Sequence, residues 1–160
     1  MIIIAIDPGY DRLGIAILQK EKNSKEKILF SECFITEREE SFYKRLFALG
    51  KRIDDLIKKF EPKALVLEDL FFSRNTKTAL KVSEARGVIV FQALNNNIPI
   101  FEYKPNQIKV AITGYGSAKK EDVFFMVKKL ISLEGRKYID DEIDAIAAGL
   151  TFFAHTNNFV

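Results

Sequence analysis

The sequence predicts an α/β protein built on a mixed five-stranded sheet flanked by helices. Two features of the hydrophobic pattern carry this reading. Three apolar runs follow one another at the start, separated by turn residues, as in an antiparallel meander. Thereafter segments with helical spacing alternate with short, continuously apolar runs, as in parallel strands covered on both faces.

Residues 2–7 and 13–19 are the first two strands, and Pro8-Gly9-Tyr10-Asp11-Arg12 between them supplies turn chemistry. A polar turn over 20–26 leads to a third strand at 27–36. Phe42, Leu46, Leu49, Ile53, Leu56, Ile57 and Phe60 then recur at spacings of three and four, which marks the apolar face of a helix that Pro62 stops. The run 64–68 is a fourth strand, and 98–103 a fifth. Between them, 75–96 reads as a helix whose Ala79, Ser83 and Gly87 form a stripe of small residues open to close approach. Pro105 opens a short helix, 113–118 is a flexible break with Ser117 as a candidate N-cap, and helices follow at 119–133 and 141–154 around a loop at 134–138. Without a repeat, low-complexity tract or linker, 1–160 reads as one domain.

Composition narrows the function classes. Hydrophobic residues at 48% and charged residues at 29% are the balance of a globular domain, and 160 residues suffice for a real core. No apolar stretch reaches the roughly 18–20 residues a bilayer span needs, and the first residues show no signal-peptide pattern. Cys33 has no internal disulfide partner. Its neighbours Phe30, Phe34 and Ile35 predict a small buried hydrophobe, and a reducing cytoplasm fits. With one His and one Cys, a soft-ligand zinc site is excluded, so any metal is a hard cation held by carboxylates. The net charge of +3 is unevenly spread. Arg74, Lys77, Lys81 and Arg86 face only Glu84 within 71–90, and Lys104, Lys109, Lys119, Lys120, Lys128 and Lys129 face Glu121 and Asp122 within 104–129. That clustering points to a polyanionic partner.

The acids are the candidate chemistry. Asp7 and Glu68 each end an apolar strand, where sites form in open α/β sheets. Asp141 and Asp144, three apart, share one face of the last helix, continued by Ala148 and Thr151, which leave space. Ile143, Ile146, Ala147, Leu150 and Phe153 form its core face. Four such carboxylates suit Mg²⁺ or Mn²⁺ and metal-assisted phosphodiester cleavage. Each also has a plain structural role. Asp-Pro-Gly opens turns, Glu68 and Asp69 leave the core at a strand end, and Asp140, Asp141, Glu142 and Asp144 complement a helix dipole. Phe71 and Phe72 are either core residues or, beside a cationic helix, rings on which bases stack. Lys119 and Lys120 oppose the dipole of the helix they begin, so something else wants positive charge there. His155 reads as a helix-end residue rather than a base.

Taken in order and at their spacings, IDPGYDRLGIAIL, LVLEDLFF, TALKVSEARG, PIFEYKPNQIKVAITGYGSAKKEDV and DDEIDAIAAGLTFFAH resemble the RuvC family of Holliday junction resolvases. The resemblance covers nearly the whole chain and implies a ribonuclease H-like fold. It places Asp7, Glu68, Asp141 and Asp144 on the family's metal-binding acids, Phe71 on its base-stacking aromatic, and Lys109 and Lys120 on residues that support DNA binding and catalysis. The helix carrying Ala79, Ser83 and Gly87 falls on the dimerisation element. The implied enzyme is a cytoplasmic homodimer that cuts two symmetrically related strands of a four-way DNA junction. It would use two Mg²⁺ or Mn²⁺ ions per site, leave 5′-phosphates, and work beside RuvA and RuvB. Phe72, Arg74, Lys77, Lys81, Arg86 and Lys119 complete the expected DNA-contact set. Two departures stand out. The run Asp140-Asp141-Glu142 leaves open which acid joins Asp144, and the basic tail of some relatives is absent. A YqgF-type nuclease, an actin-like nucleotide-binding domain and a non-catalytic junction-binding module are the rival readings.

Overall fold

The computed structural model describes residues 1–69, 76–133 and 135–156. Its elements are β1 (Ile2–Asp7), β2 (Arg12–Gln19), β3 (Lys27–Ile35), α1 (Phe42–Phe60), β4 (Leu65–Glu68), α2 (Thr76–Asn95), β5 (Ile100–Tyr103), α3 (Pro105–Thr113), α4 (Lys120–Leu130) and α5 (Asp140–His155). The sheet is five-stranded and mixed, in the order β3-β2-β1-β4-β5. β1, β2 and β3 form the expected antiparallel meander, and β4 and β5 join parallel to β1.

The period-2 alternation of the strands feeds two cores. Ile4 and Ile6 of β1 and Leu65 and Leu67 of β4 face Leu49, Ile53 and Leu56 of α1 and Ala85, Ile89 and Ala93 of α2. Ile3 and Ala5, with Val66, face the opposite side, where α5 lies on the sheet and Ile108, Val123 and Val127 of α3 and α4 close over it. α1 begins at Ser41, whose hydroxyl accepts the Lys44 N–H, and ends at Glu61 in the left-handed region (φ 47°), just before Pro62.

Three expectations are corrected. Ala148 and Thr151 leave no open space: both are fully buried, because α5 is covered by the sheet on one side and by α3 and α4 on the other. Small residues permit this close contact, and a Cβ at Gly149 would lie 2.4 Å from Leu18 Cδ1. Ser117 does not cap α4. The cap is Lys119, whose N–H is accepted by the Asp122 carboxylate at 3.0 Å, and Glu121 and Asp122 offset the unfavourable lysines in the first turn. Cys33 is only half-buried, and its thiol lies against Arg12 and Asp141, because it pairs with Gly14 on the α5 side of the sheet. Among the described residues, no helix is long and apolar enough to cross a membrane.

Candidate active site

The same alternation that builds the α5-side core aims the acids. Asp7 follows Ile3 and Ala5, and Glu68 follows Ala64 and Val66, so both carboxylates leave their strands on the α5 face. Ile6 registers with Leu67 across the parallel pair, so Asp7 and Glu68 end neighbouring strands side by side. On the other side of β1, Asp7 pairs with Gly14. A Cβ at Gly14 would sit 2.0 Å from the Asp141 carbonyl oxygen. The start of α5 therefore rests directly on β2 beside the end of β1, with Asp144 on the same helix face as Asp141.

Electrostatics records the convergence. Burial, then the charges of Glu68, Asp144 and Asp141, push the Asp7 carboxyl up from 3.8 to about 8, against the pull of Lys120. Burial and Asp144 push Glu68 from 4.5 up to about 7, opposed by Lys120 and Lys109. Asp144 is also raised, chiefly by burial. Lys120 Nζ lies 3.2 Å from Asp144 Oδ2, and Asp144 strengthens its hold on the proton. Asp141 pairs with the Arg12 guanidinium. Among the described residues, no three of these acids form a ready-made cation cage. Two of the four are instead held by Arg12 and Lys120. The all-oxygen donor set fits a hard divalent cation, and the raised carboxyls show where compensating charge is lacking.

The first turn of α5 sorts its own acids. Glu142, only 2% exposed, points away from the cluster. It accepts from Arg136 Nη2 at 2.7 Å, from the Ser31 hydroxyl at 3.1 Å and from the Ile139 N–H at 3.1 Å. Burial works against its ionisation, but these donors hold its carboxyl below the ordinary value. Asp140 is exposed at the rim, which leaves Asp141 beside Asp144.

The turn between Asp7 and Arg12 is braced from below. Arg45 donates through Nε to Thr36 Oγ1 at 2.8 Å and pairs with Asp11, while Thr36 Oγ1 donates to the Tyr10 carbonyl at 2.8 Å. Gly9 is required here, since a Cβ would stand 2.1 Å from the Arg12 carbonyl oxygen.

The basic residues divide. Lys109 on α3 and Lys120 act on the acids, and Lys119 is exposed beside them. Lys81 is exposed, with its ammonium 5.2 Å from the Tyr10 ring centroid and 5.5 Å from that of Phe42. Arg86 is largely buried, bonded to Glu102 of β5 at 2.5 Å and 4.0 Å from Asp69. Phe71, Phe72 and Arg74 lie outside the described residues, as does the Lys77 side chain. His155 is a helix-end residue, its Nδ1 2.9 Å from the Thr151 carbonyl and its ring stacked on Tyr103. Sequence pattern alone singles out neither Arg12 nor Arg136. For Arg12 the available signal is its parity with Gly14 on β2, which the turn reading of Pro8-Gly9-Tyr10-Asp11-Arg12 hides.

The family model described as Crossover junction endodeoxyribonuclease RuvC matches residues 3–152. A protein of that description from Natranaerobius thermophilus is 42% identical over 150 residues, covering 94% of this chain and 92% of the relative. One from Brachyspira hyodysenteriae is 42% identical over 160 residues, covering 99% and 98%. The structure of Thermus thermophilus RuvC in complex with Holliday junction substrate superposes with a TM-score of 0.92 at 30% identity, covering 99% of this chain and 96% of that one. The sheet order, the acids at its strand ends and these full-length matches agree: the chain belongs to the RuvC family of crossover junction endodeoxyribonucleases.

Proposed function

We propose that this protein resolves Holliday junctions by symmetric, metal-dependent hydrolysis of two phosphodiester bonds, leaving 5′-phosphate ends. The observation that carries this is the convergence of Asp7, Glu68, Asp141 and Asp144 at the carboxyl ends of β1 and β4, with Lys120 beside them. Burying that many carboxylates together is unfavourable without a counter-charge, as the raised Asp7 and Glu68 record. These four residues would hold two Mg²⁺ or Mn²⁺ ions, which supply charge stabilisation and an acidified water for phosphodiester hydrolysis. Asp141, rather than Glu142, joins Asp144 in this set, since Glu142 is committed to Arg136.

The remaining residues bind and orient. Lys120 stays protonated next to Asp144 and offers a positive charge to a phosphate at the site. Lys109, Lys119, Lys81, Lys77 and Arg74 extend that charge along the DNA, where phosphate contacts supply most of the affinity and its salt dependence. Arg86 braces α2 against β5 instead. Phe71 and Phe72 stack on bases opened at the crossover.

A homodimer would present two such sites about a two-fold axis, matching the symmetry of an open junction. Support for it is on α2, where Leu80, Phe91 and Leu94 are each at least 60% exposed around Gly87, a residue with nothing near its Cβ position. The chain then acts as one nuclease unit in the cytoplasm, beside RuvA and RuvB. Incubation with labelled four-way and linear DNA, with and without Mg²⁺, tests the reading. Symmetric cuts confined to the junction and dependent on Mg²⁺ are expected. Equal cutting of linear DNA, or cutting in chelator, would refute it.

A further inference from the structure

We propose that Arg12 is a positioning residue that competes with the divalent cation for Asp141, keeping that carboxylate at the site until an ion displaces it. This rests on the reading of Asp141 as a metal ligand. Arg12 opens β2 and has the same parity as Gly14, Ala16 and Leu18, so its side chain emerges under the first turn of α5. There its guanidinium pairs with Asp141 Oδ2 and lies against the Cys33 thiol. The Asp141 backbone is pinned by the close approach of Gly14, so its carboxylate has little freedom except rotation about its own side chain. One oxygen is already taken by Arg12.

Lys120 plays the corresponding part for Asp144, but its charge is shared with Asp7 and Glu68. A guanidinium stays charged at any working pH, so Arg12 yields Asp141 only by moving. It has room to do so, since its side chain is 46% exposed against 21% for Asp141. A pair so exposed is weak, which makes the competition modest and reversible. Without an ion, Arg12 offsets part of the mutual repulsion of the acids; with one bound, the freed guanidinium lies beside the site with a fork suited to phosphate.

Mn²⁺ titration of the DNA-free protein, followed by electron paramagnetic resonance, tests this without reference to cleavage. Arg12→Gln should bind Mn²⁺ about 2- to 5-fold more tightly than the unmodified protein, the size expected from losing a weak exposed ion pair. Arg12→Lys, which keeps the charge but loses the fork, should fall between them and guards against a folding defect in the glutamine variant. In an Asp141→Asn background the gain from Arg12→Gln should vanish, because the competed carboxylate is gone. Equal affinity of Arg12→Gln and the unmodified protein would overturn the proposal, as would a gain that persists in Asp141→Asn, which would show a diffuse charge effect. If the unmodified protein bound no Mn²⁺ at all, the metal reading beneath the proposal would fall instead.

Discussion

Gly14 on β2 is pressed against the backbone of Asp141 at the start of α5, so close that a Cβ at position 14 would stand 2.0 Å from the Asp141 carbonyl oxygen. Because Gly14 is also the cross-strand partner of Asp7, this one contact sets how near the helix acids come to the strand acids. Gly14→Ala should force α5 away from the sheet end. Overpacking of this kind costs about 1–3 kcal/mol, readable by urea unfolding. Junction cleavage should fall further than junction binding, and unchanged cleavage would show that this contact does not set the geometry of the acids.

Asp7→Asn should retain junction binding and lose cleavage by about 100-fold or more, since metal-borne charge stabilisation is worth several kcal/mol. Parallel gel-shift and cleavage assays check it. Mg²⁺-dependent cutting at the original rate would remove Asp7 from the ligand set.

The same carboxyl makes the metal-free protein pH-sensitive. Asp7 rises from 3.8 to about 8 and Glu68 from 4.5 to about 7 on folding, so between those limits the folded protein holds more protons than the unfolded chain. Their contribution to stability is complete below about pH 4 and is lost as the pH rises through about 7 to 8. Asp7→Asn escapes this loss. In chelator, its melting temperature should exceed that of the unmodified protein by a margin that widens from about pH 5 to pH 8, and Mg²⁺ should narrow the gap. A gap that stays constant with pH would contradict the raised carboxyl.

Glu142→Gln should keep metal-dependent cleavage within a few-fold while lowering stability by about 1–3 kcal/mol, because a buried acceptor for Arg136 and Ser31 is weakened. Thermal unfolding and cleavage on one preparation separate the two effects. Complete loss of cleavage with stability intact would put Glu142 back among the ligands.

Phe71→Ala should reduce cleavage more than junction binding, as expected of a ring that supports an opened base rather than anchoring the duplex. Equal losses in gel-shift and cleavage assays would return Phe71 to a packing role.

Phe91→Asp, on the exposed face of α2, should shift sedimentation from dimer to monomer and abolish paired cuts while leaving Asp7 and its neighbours in place. A monomer in the unmodified protein at working concentrations would refute the dimer itself.

Much of this was legible from local pattern. The apolar runs of β1 and β2, the three- and four-residue spacing of α1 and the stop at Pro62 are properties of neighbouring residues, and they hold in the fold. So does the placement of Asp7 and Glu68 at strand ends. The errors share a cause. Ala148 and Thr151 looked like an open face because an isolated helix has only one partner, whereas α5 is covered on both sides. Ser117 fits a cap and Cys33 a core residue only while sequence neighbours alone are considered. Their real surroundings are Lys119 and Asp122 at the cap, and Arg12 and Asp141 at the thiol.

By itself the sequence determined the inventory: the strands and helices, the carboxylates available to a hard cation, and the family whose motifs it carries. The tertiary structure decided the pairing. It brought Arg12 to Asp141 across 129 positions, joined Glu142 to Ser31 across 111, and set Asp141 rather than Glu142 beside Asp144. Local periodicity is written in adjacent residues, but which charge meets which depends on strand register and helix placement, and those follow from the packing of the whole chain.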